Sequence, residues 1–133
     1  VVRASSSTTK VRPVFDGSAQ GRNGVSLNEC LHAGPSLLPS LLEILMRFRR
    51  KPIALTADVR KAFLQIQVRR EDQDVHRFLW ECKGRTRVMR FARLPFGNRS
   101  SPFLLNATVR HHLAKFEASP LVCDLKDNLY STG

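Results

Sequence analysis

The sequence predicts an α+β domain in which helices pack on a mixed, mainly antiparallel sheet. Of the 133 residues, 42% are hydrophobic and 25% are charged, a composition that suits one folded domain. Short apolar runs bounded by turn residues alternate with stretches whose apolar residues recur every three or four positions. The first nine residues are small and polar. We therefore expect a flexible start over residues 1–9 and a domain over residues 10–133.

The first half of the chain predicts an edge strand, a helix and a buried strand. Residues 10–16 form a short β-prone run that contains a proline, which limits it to a sheet edge. Residues 37–48 carry apolar side chains at helical spacing, and Ser36 is a candidate N-cap. Residues 53–58 are an apolar run that ends in an acid. This run predicts a central buried strand with Asp58 at its C-terminal edge.

The second half predicts a β-hairpin followed by a helix. Residues 77–82 and 87–91 are rich in β-prone side chains and flank the turn pair Lys83-Gly84. A helix is expected to begin near Ser101, because Pro102 is typical of a first helical position, and to end at about Glu117. A short further segment follows Pro120.

The charge balance indicates a polyanionic partner. The chain has 22 Lys and Arg against 11 Asp and Glu, a net charge of +11, and 16 of the 22 are Arg. The planar guanidinium fork matches phosphate geometry, so nucleic acid is the expected partner. Residues 83–99 contain no acid, and their bases form either a solvated hairpin face or a track for template or primer phosphates: Lys83, Arg85, Arg87, Arg90, Arg93 and Arg99. We expect Trp80 in the core.

The cysteines and the hydropathy of the chain indicate its redox environment and whether it spans a membrane. Its three cysteines are widely spaced, with no C-x-x-C pair, so neither a disulfide framework nor a zinc site is predicted. No apolar run approaches the roughly 20 residues that span a membrane. A reducing, cytoplasmic location without a membrane partner is the expectation.

Two segments could carry chemistry. Asp58, at the end of its predicted strand, is either a helix N-cap or a ligand for a hard cation such as Mg²⁺. Phe63 follows five residues later and is by itself a core candidate. The loop of residues 94–102 combines Gly97, which lets a ligand approach the backbone closely, with Arg99.

Taken together, these segments resemble a known family. Residues 54–66 (ALTADVRKAFLQI), 77–80 (RFLW) and 94–107 (LPFGNRSSPFLLNA) resemble reverse transcriptases of LTR retrotransposons, most closely the Bel/Pao class. Residues 12–19, 24–28 and 128–130 resemble the same class in the same order, so the resemblance spans residues 10–130. It implies part of a right-hand polymerase, with fingers and palm but without a thumb.

The resemblance also implies an activity, partners and roles for single residues. The family joins nucleotides by two-metal phosphoryl transfer from dNTP onto a primer paired with an RNA or DNA template. By resemblance Asp58 is the first carboxylate that binds Mg²⁺ (or Mn²⁺), and Phe63 lies under the incoming sugar and selects dNTP over rNTP. The other implied nucleotide contacts are Arg12 with Lys10 on the triphosphate, and Phe96 with Gly97 on the sugar and template base pair. The implied location is cytoplasmic, within retroelement particles.

The chain departs from the family pattern after Tyr130. The family has one residue and then two adjacent Asp, which complete the metal site, but here Tyr130 is followed by Ser-Thr-Gly. The nearest acids, Asp124 and Asp127, precede Tyr130. We therefore expect a reverse transcriptase fragment that is inactive as it stands. The alternatives are a non-catalytic, basic nucleic-acid-binding module derived from a retroelement, and a chain with an incomplete core that does neither.

Overall fold

The computed structural model describes residues 14–130. The predicted flexible start, the predicted triphosphate contacts Lys10 and Arg12, and most of the predicted edge strand lie outside the described residues. Helices and antiparallel strands occur together, which confirms the α+β class. The elements in chain order are α1 (Leu27–Cys30), α2 (Leu41–Phe48), α3 (Ala62–Gln65), a 3₁₀ helix (Arg70–His76), β1 (Arg77–Cys82), β2 (Arg85–Arg90), α4 (Ser101–Ala114) and α5 (Pro120–Asn128).

The predicted hairpin is confirmed. Strands β1 and β2 pair antiparallel from Arg77 opposite Arg90 to Cys82 opposite Arg85. The turn residues Lys83 and Gly84 have φ values of 53° and 69°. Two consecutive positive φ angles are the signature of the tight hairpin turn whose twist matches the strands. The second strand therefore begins directly after the turn, two residues earlier than expected.

An aromatic cluster anchors the start of the described chain to the hairpin. The ring of Phe15 lies 5.0 Å from that of Phe78 and 4.6 Å from that of Phe91, measured between centroids. Phe78 and Phe91 are themselves 4.9 Å apart. Tilted and edge-on rings at these distances attract one another beyond the area they bury. The segment around Phe15 is thereby held beside the loop that follows β2.

The interpretation of residues 53–58 as a central buried strand is wrong. This segment has no regular structure, and the side chains of Ile53 and Leu55 are 77% and 88% exposed. A strand needs a neighbour to take its backbone hydrogen bonds, and the described sheet contains only β1 and β2. The apolar run has no such neighbour among the described residues. The sheet is antiparallel as expected, but it is smaller than the mixed sheet that the sequence predicts.

The two longer predicted helices form with shifted ends. Helix α2 begins at Leu41 rather than after Ser36. The residue before a proline is disfavoured in helical conformation, so Pro39 delays the start. Helix α4 begins at Ser101 with a proline in its first turn, as predicted, and ends at Ala114. None of the described helices combines the length and apolar character needed to cross a bilayer.

The core that positions the site is small. Phe63, Leu94 and Leu105 are 7%, 1% and 6% exposed and pack together between α3, the loop after β2, and α4. Backbone hydrogen bonds from Val68 to the carbonyl of Ala92, and from Leu94 to the carbonyl of Ile66, join the two segments that flank this core. The loop of residues 94–100 is therefore held at both ends. These backbone hydrogen bonds hold its first residue, and α4 begins directly after its last.

Candidate functional site

An open cleft of about 560 Å³ lies beside the core. Its walls come from the turn after Phe15, the start of α1, the loop before α4, and the first residues of α4. Phe63, Phe96 and Gly97, all predicted to contact a nucleotide, line it together with Arg99. The structure thus brings residues from two distant segments of the sequence to one place.

Two aromatic rings form the apolar wall of the cleft. The centroids of Phe63 and Phe96 are 4.9 Å apart, with their planes inclined at 58°. Phe63 is 7% exposed and Phe96 is half-buried. The two interpretations of Phe63 are therefore compatible, because the residue belongs to the core cluster and also lines the cleft. Such a wall suits a sugar or a base, which bury apolar faces.

The side chain of Asn28 connects the turn after Phe15, on one side of the cleft, to the loop of residues 94–100 through hydrogen bonds. Its Nδ2 donates to the Ser18 hydroxyl and to the carbonyl oxygen of Gly97, both at 3.0 Å. Its Oδ1 accepts from the backbone N–H of Arg99 at 2.8 Å. Its own backbone N–H donates to the Gly17 carbonyl oxygen at 2.8 Å. One side chain thus fixes the position of the loop that carries Phe96 and Gly97.

Sequence reasoning did not select Asn28 as a site residue, although a local signal for its position exists. Ser26 and Glu29 form a capping box, in which the Ser26 N–H donates to the Glu29 carboxylate at 2.6 Å and the Glu29 N–H donates to the Ser26 hydroxyl at 3.3 Å. Hydrogen bonds to the Glu29 carboxylate, from the Ser26 backbone first and from the Ser26 side chain second, lower the pKa of Glu29. The S-x-x-E pattern is readable in the sequence, and it orients α1 so that Asn28 faces the loop.

Gly97 occupies a position that no other residue fits without rearrangement. Its φ is +97°, and a Cβ on it would lie 2.0 Å from the carbonyl oxygen of Phe15. The neighbouring Asn98 is 5% exposed, and its Nδ2 has no hydrogen-bond partner among the described residues. Ser101 supports the loop from within, donating from its hydroxyl to the Pro95 carbonyl oxygen at 2.8 Å. The backbone of the loop therefore approaches the Phe15 segment directly.

Asp58 stands apart from this cleft. It is exposed and does not line the cleft. It is also not a helix cap, because α3 begins at Ala62 with Lys61 in the N-cap position. The described residues contain no group of three or more His, Cys, Asp and Glu that could hold a metal ion. Two Mg²⁺ ions need several carboxylates, so the donors among the described residues do not fit a two-metal site. The Mg²⁺ or Mn²⁺ assignment stays a prediction.

The arginines of the predicted basic track lie in four different places. Arg90 forms an ion pair with Asp74 at 2.9 Å, and Arg77 pairs with the same carboxylate at 2.7 Å. Hydrogen bonds from Arg77 and then Arg90 lower the pKa of Asp74. Arg93 donates to the backbone carbonyl of Gln65 at 3.2 Å. The others lie elsewhere, Arg99 at the cleft and Arg85 with Arg87 near the hairpin tip.

The expectation that Trp80 belongs to the core is wrong. Its side chain is 57% exposed in the middle of β1. The hairpin packs through Phe78 and through the residues at its base, whereas the positions towards the turn project into solvent. The alternation of apolar and polar residues along β1 does not reveal which part of the strand has a packing neighbour.

Comparison with known proteins assigns the chain to no group. No protein-family model, no curated protein and no solved structure matches it. The site is therefore defined by the residues that meet at the cleft: the ring pair of Phe63 and Phe96, the backbone of Gly97, and the hydrogen bonds of Asn28.

Proposed function

We propose that the chain is part of the fingers and palm of an LTR-retrotransposon reverse transcriptase, and that its cleft binds the incoming dNTP. The observation that carries the proposal is the meeting of Phe63, Phe96 and Gly97 at one cleft. The motif resemblance assigns these three residues to one nucleotide, although more than thirty positions separate the first from the others. Three residues with a shared ligand should share a cavity, and these do.

The chemistry of the walls is suited to a nucleotide. The Phe63 and Phe96 rings offer an apolar surface to the sugar. The first turn of α4, at Ser101 and Pro102, lines the same cleft. The partial positive charge of a helix N-terminus favours an anion, and Arg99 adds a full positive charge beside it. Glu29 is the one carboxylate among the described residues that line the cleft. An apolar wall next to Arg99 and a helix N-terminus matches a molecule with a sugar at one end and phosphates at the other.

Nucleotidyl transfer is the reaction class that the resemblance implies, with an RNA or DNA template-primer as the second substrate. Among the described residues, however, Asp58 is not accompanied by the carboxylates that two-metal catalysis requires. We therefore propose that the chain binds nucleotide without completing the transfer by itself. In a primer-extension assay with dNTPs and Mg²⁺ or Mn²⁺, we expect no product from the chain or from its Asp58→Ala variant. Extension that Asp58→Ala abolishes would contradict the proposed incompleteness and would establish the metal role.

Nucleotide binding is tested directly by calorimetric titration with dATP and ATP under identical ionic conditions. We expect dATP to bind more tightly, because a ring beneath the sugar leaves little room for a 2′-hydroxyl. Phe96→Ala should weaken dATP binding by about two- to twelvefold, which is the effect of losing one favourable ring contact of ~0.5–1.5 kcal/mol. Phe116→Ala is the matched control, since Phe116 is 53% exposed and lies beyond α4, outside the cleft. Equal binding of dATP and ATP, or equal effects of the two variants, would refute the assignment.

A further inference from the structure

Strand β1 of the hairpin exposes an aromatic side chain that packing does not explain. Trp80 is the single tryptophan of the chain, and 57% of its side chain is accessible to solvent. Strand positions normally turn a tryptophan inward, because it buries more apolar area than any other residue. Trp80 lies two residues beyond Phe78, whose ring is covered by Phe15. The aromatic cluster thus ends at Phe78, and the face continues uncovered to Trp80.

The pairing register determines which side chains share this face. Side chains alternate between the two faces of a strand, and residues directly opposite each other point to the same side. Trp80 is opposite Arg87, and Cys82 is opposite Arg85. Phe78 and Met89 complete the same face towards the hairpin base. We name the Trp80, Arg85 and Arg87 group the tip face.

The two faces of the hairpin differ in whether their arginines form ion pairs. Arg77 and Arg90 are on the opposite face, and both pair with Asp74. Glu81, the acidic residue of the two strands, is opposite Thr86 and therefore also lies on the face that does not carry Trp80. Among the described residues, no carboxylate lies within ion-pair distance of Arg85 or Arg87. The tip face is therefore cationic, and its charge is not neutralised by the described part of the fold.

We propose that the tip face binds single-stranded nucleic acid, with one base stacked on Trp80 and the adjacent phosphates contacted by Arg85 and Arg87. An accessible indole ring beside unneutralised guanidinium groups is the combination that single-strand binders use, because every base offers a flat ring and every linkage a charge. A duplex keeps its bases stacked on each other, so it offers phosphates but no base face to Trp80. This interaction is independent of the dNTP cleft, which has different walls.

The single tryptophan makes the proposal directly measurable. Titrating the chain with a single-stranded oligonucleotide of about twelve nucleotides should quench its tryptophan fluorescence, because a stacked base contacts the only emitting indole ring. A duplex of the same length should bind without comparable quenching. Titration with polyglutamate tests whether the tip face binds an acidic polypeptide instead. Quenching by polyglutamate or duplex equal to that by the single strand would overturn the proposal, as would no quenching at low salt.

Matched arginine variants test the role of the face. The double variant Arg85→Ala/Arg87→Ala should weaken single-strand binding by at least tenfold. It should also reduce the slope of log affinity against log salt by about 1.4, or ~0.7 for each lost phosphate contact. Arg77→Ala is the control, because it removes a positive charge from the same hairpin on the opposite face. A similar fall in affinity per charge removed in both variants would overturn the proposal. Far-UV circular dichroism establishes that each variant is folded.

Discussion

Replacing Gly97 with alanine gives a sharp test of the close contact between the cleft loop and the Phe15 segment. The added Cβ would lie 2.0 Å from the Phe15 carbonyl oxygen, whereas ordinary contacts of this kind begin near 3.4 Å. The Phe15 backbone or the loop must therefore move by about 1 Å or more. Gly97 also has a φ of +97°, so the alanine adds a backbone penalty.

The magnitude follows from what that movement disturbs. The backbone penalty is about 1–2 kcal/mol. Phe15 packs on the rings of Phe78 and Phe91, and such ring pairs contribute ~0.5–1.5 kcal/mol each. The Gly97 carbonyl also accepts a hydrogen bond from Asn28, of net value ~0.5–1.5 kcal/mol. We expect a total loss in the free energy of unfolding of about 2.5–6.5 kcal/mol.

Gly84→Ala is the matched control. Gly84 has a φ of +69°, and nothing lies within 4 Å of the position its Cβ would take. This variant should therefore show the backbone penalty alone, about 1–2 kcal/mol. Urea unfolding followed by far-UV circular dichroism measures both losses. Equal losses for the two variants would show that the loop does not approach the Phe15 carbonyl as described.

Two further predictions concern the Asn28 hydrogen bonds and a half-buried histidine, His76. Asn28→Ala should lower the free energy of unfolding by about 1–3 kcal/mol in the same urea assay, because it removes three side-chain hydrogen bonds. The control Asn23→Ala removes one exposed hydrogen bond within its own turn and should lower the free energy of unfolding by less. Similar losses for the two variants would refute the role of Asn28. Burial lowers the pKa of His76 from 6.5, against smaller opposing effects of the Asp72 backbone and carboxylate, so below pH 6.5 the unfolded chain binds a proton that the folded chain does not. The free energy of unfolding should therefore fall as the pH drops from 7 through 6.5 and should level off below the folded-state pKa of His76. Urea unfolding at several pH values measures this dependence. His76→Gln should flatten it, whereas the control His111→Gln should retain it.

The elements that the sequence predicts well are those set by local chemistry. The hairpin follows from the pair Lys83-Gly84, because positive φ angles at two turn positions determine how the flanking strands meet. The start of α4 follows from Pro102, which fits the first helical turn whatever surrounds it. Both signals act within a few residues, so no knowledge of the remaining fold is needed.

The features that the sequence does not reveal depend on distant partners. Residues 53–58 have the composition of a buried strand, but only a neighbouring strand could make them one, and the described sheet provides none. Asn28 contacts Gly97 and Arg99 across about seventy positions, which no local pattern encodes. The grouping of Phe63, Phe96 and Gly97 was predicted by motif resemblance, whereas the placement of Asp58 away from them required the structure.

The many water-exposed apolar side chains have a thermodynamic consequence. Leu42 and Met46 of α2 are 70% and 62% exposed, and Ile53 and Leu55 of the segment that follows are more exposed still. The heat capacity of a protein rises on unfolding mainly because apolar groups enter water, by ~12–15 cal/mol/K per residue in ordinary domains. Side chains already hydrated in the folded state contribute little to this increase. We expect a heat capacity change per residue below that range, and hence a stability that varies only gently with temperature.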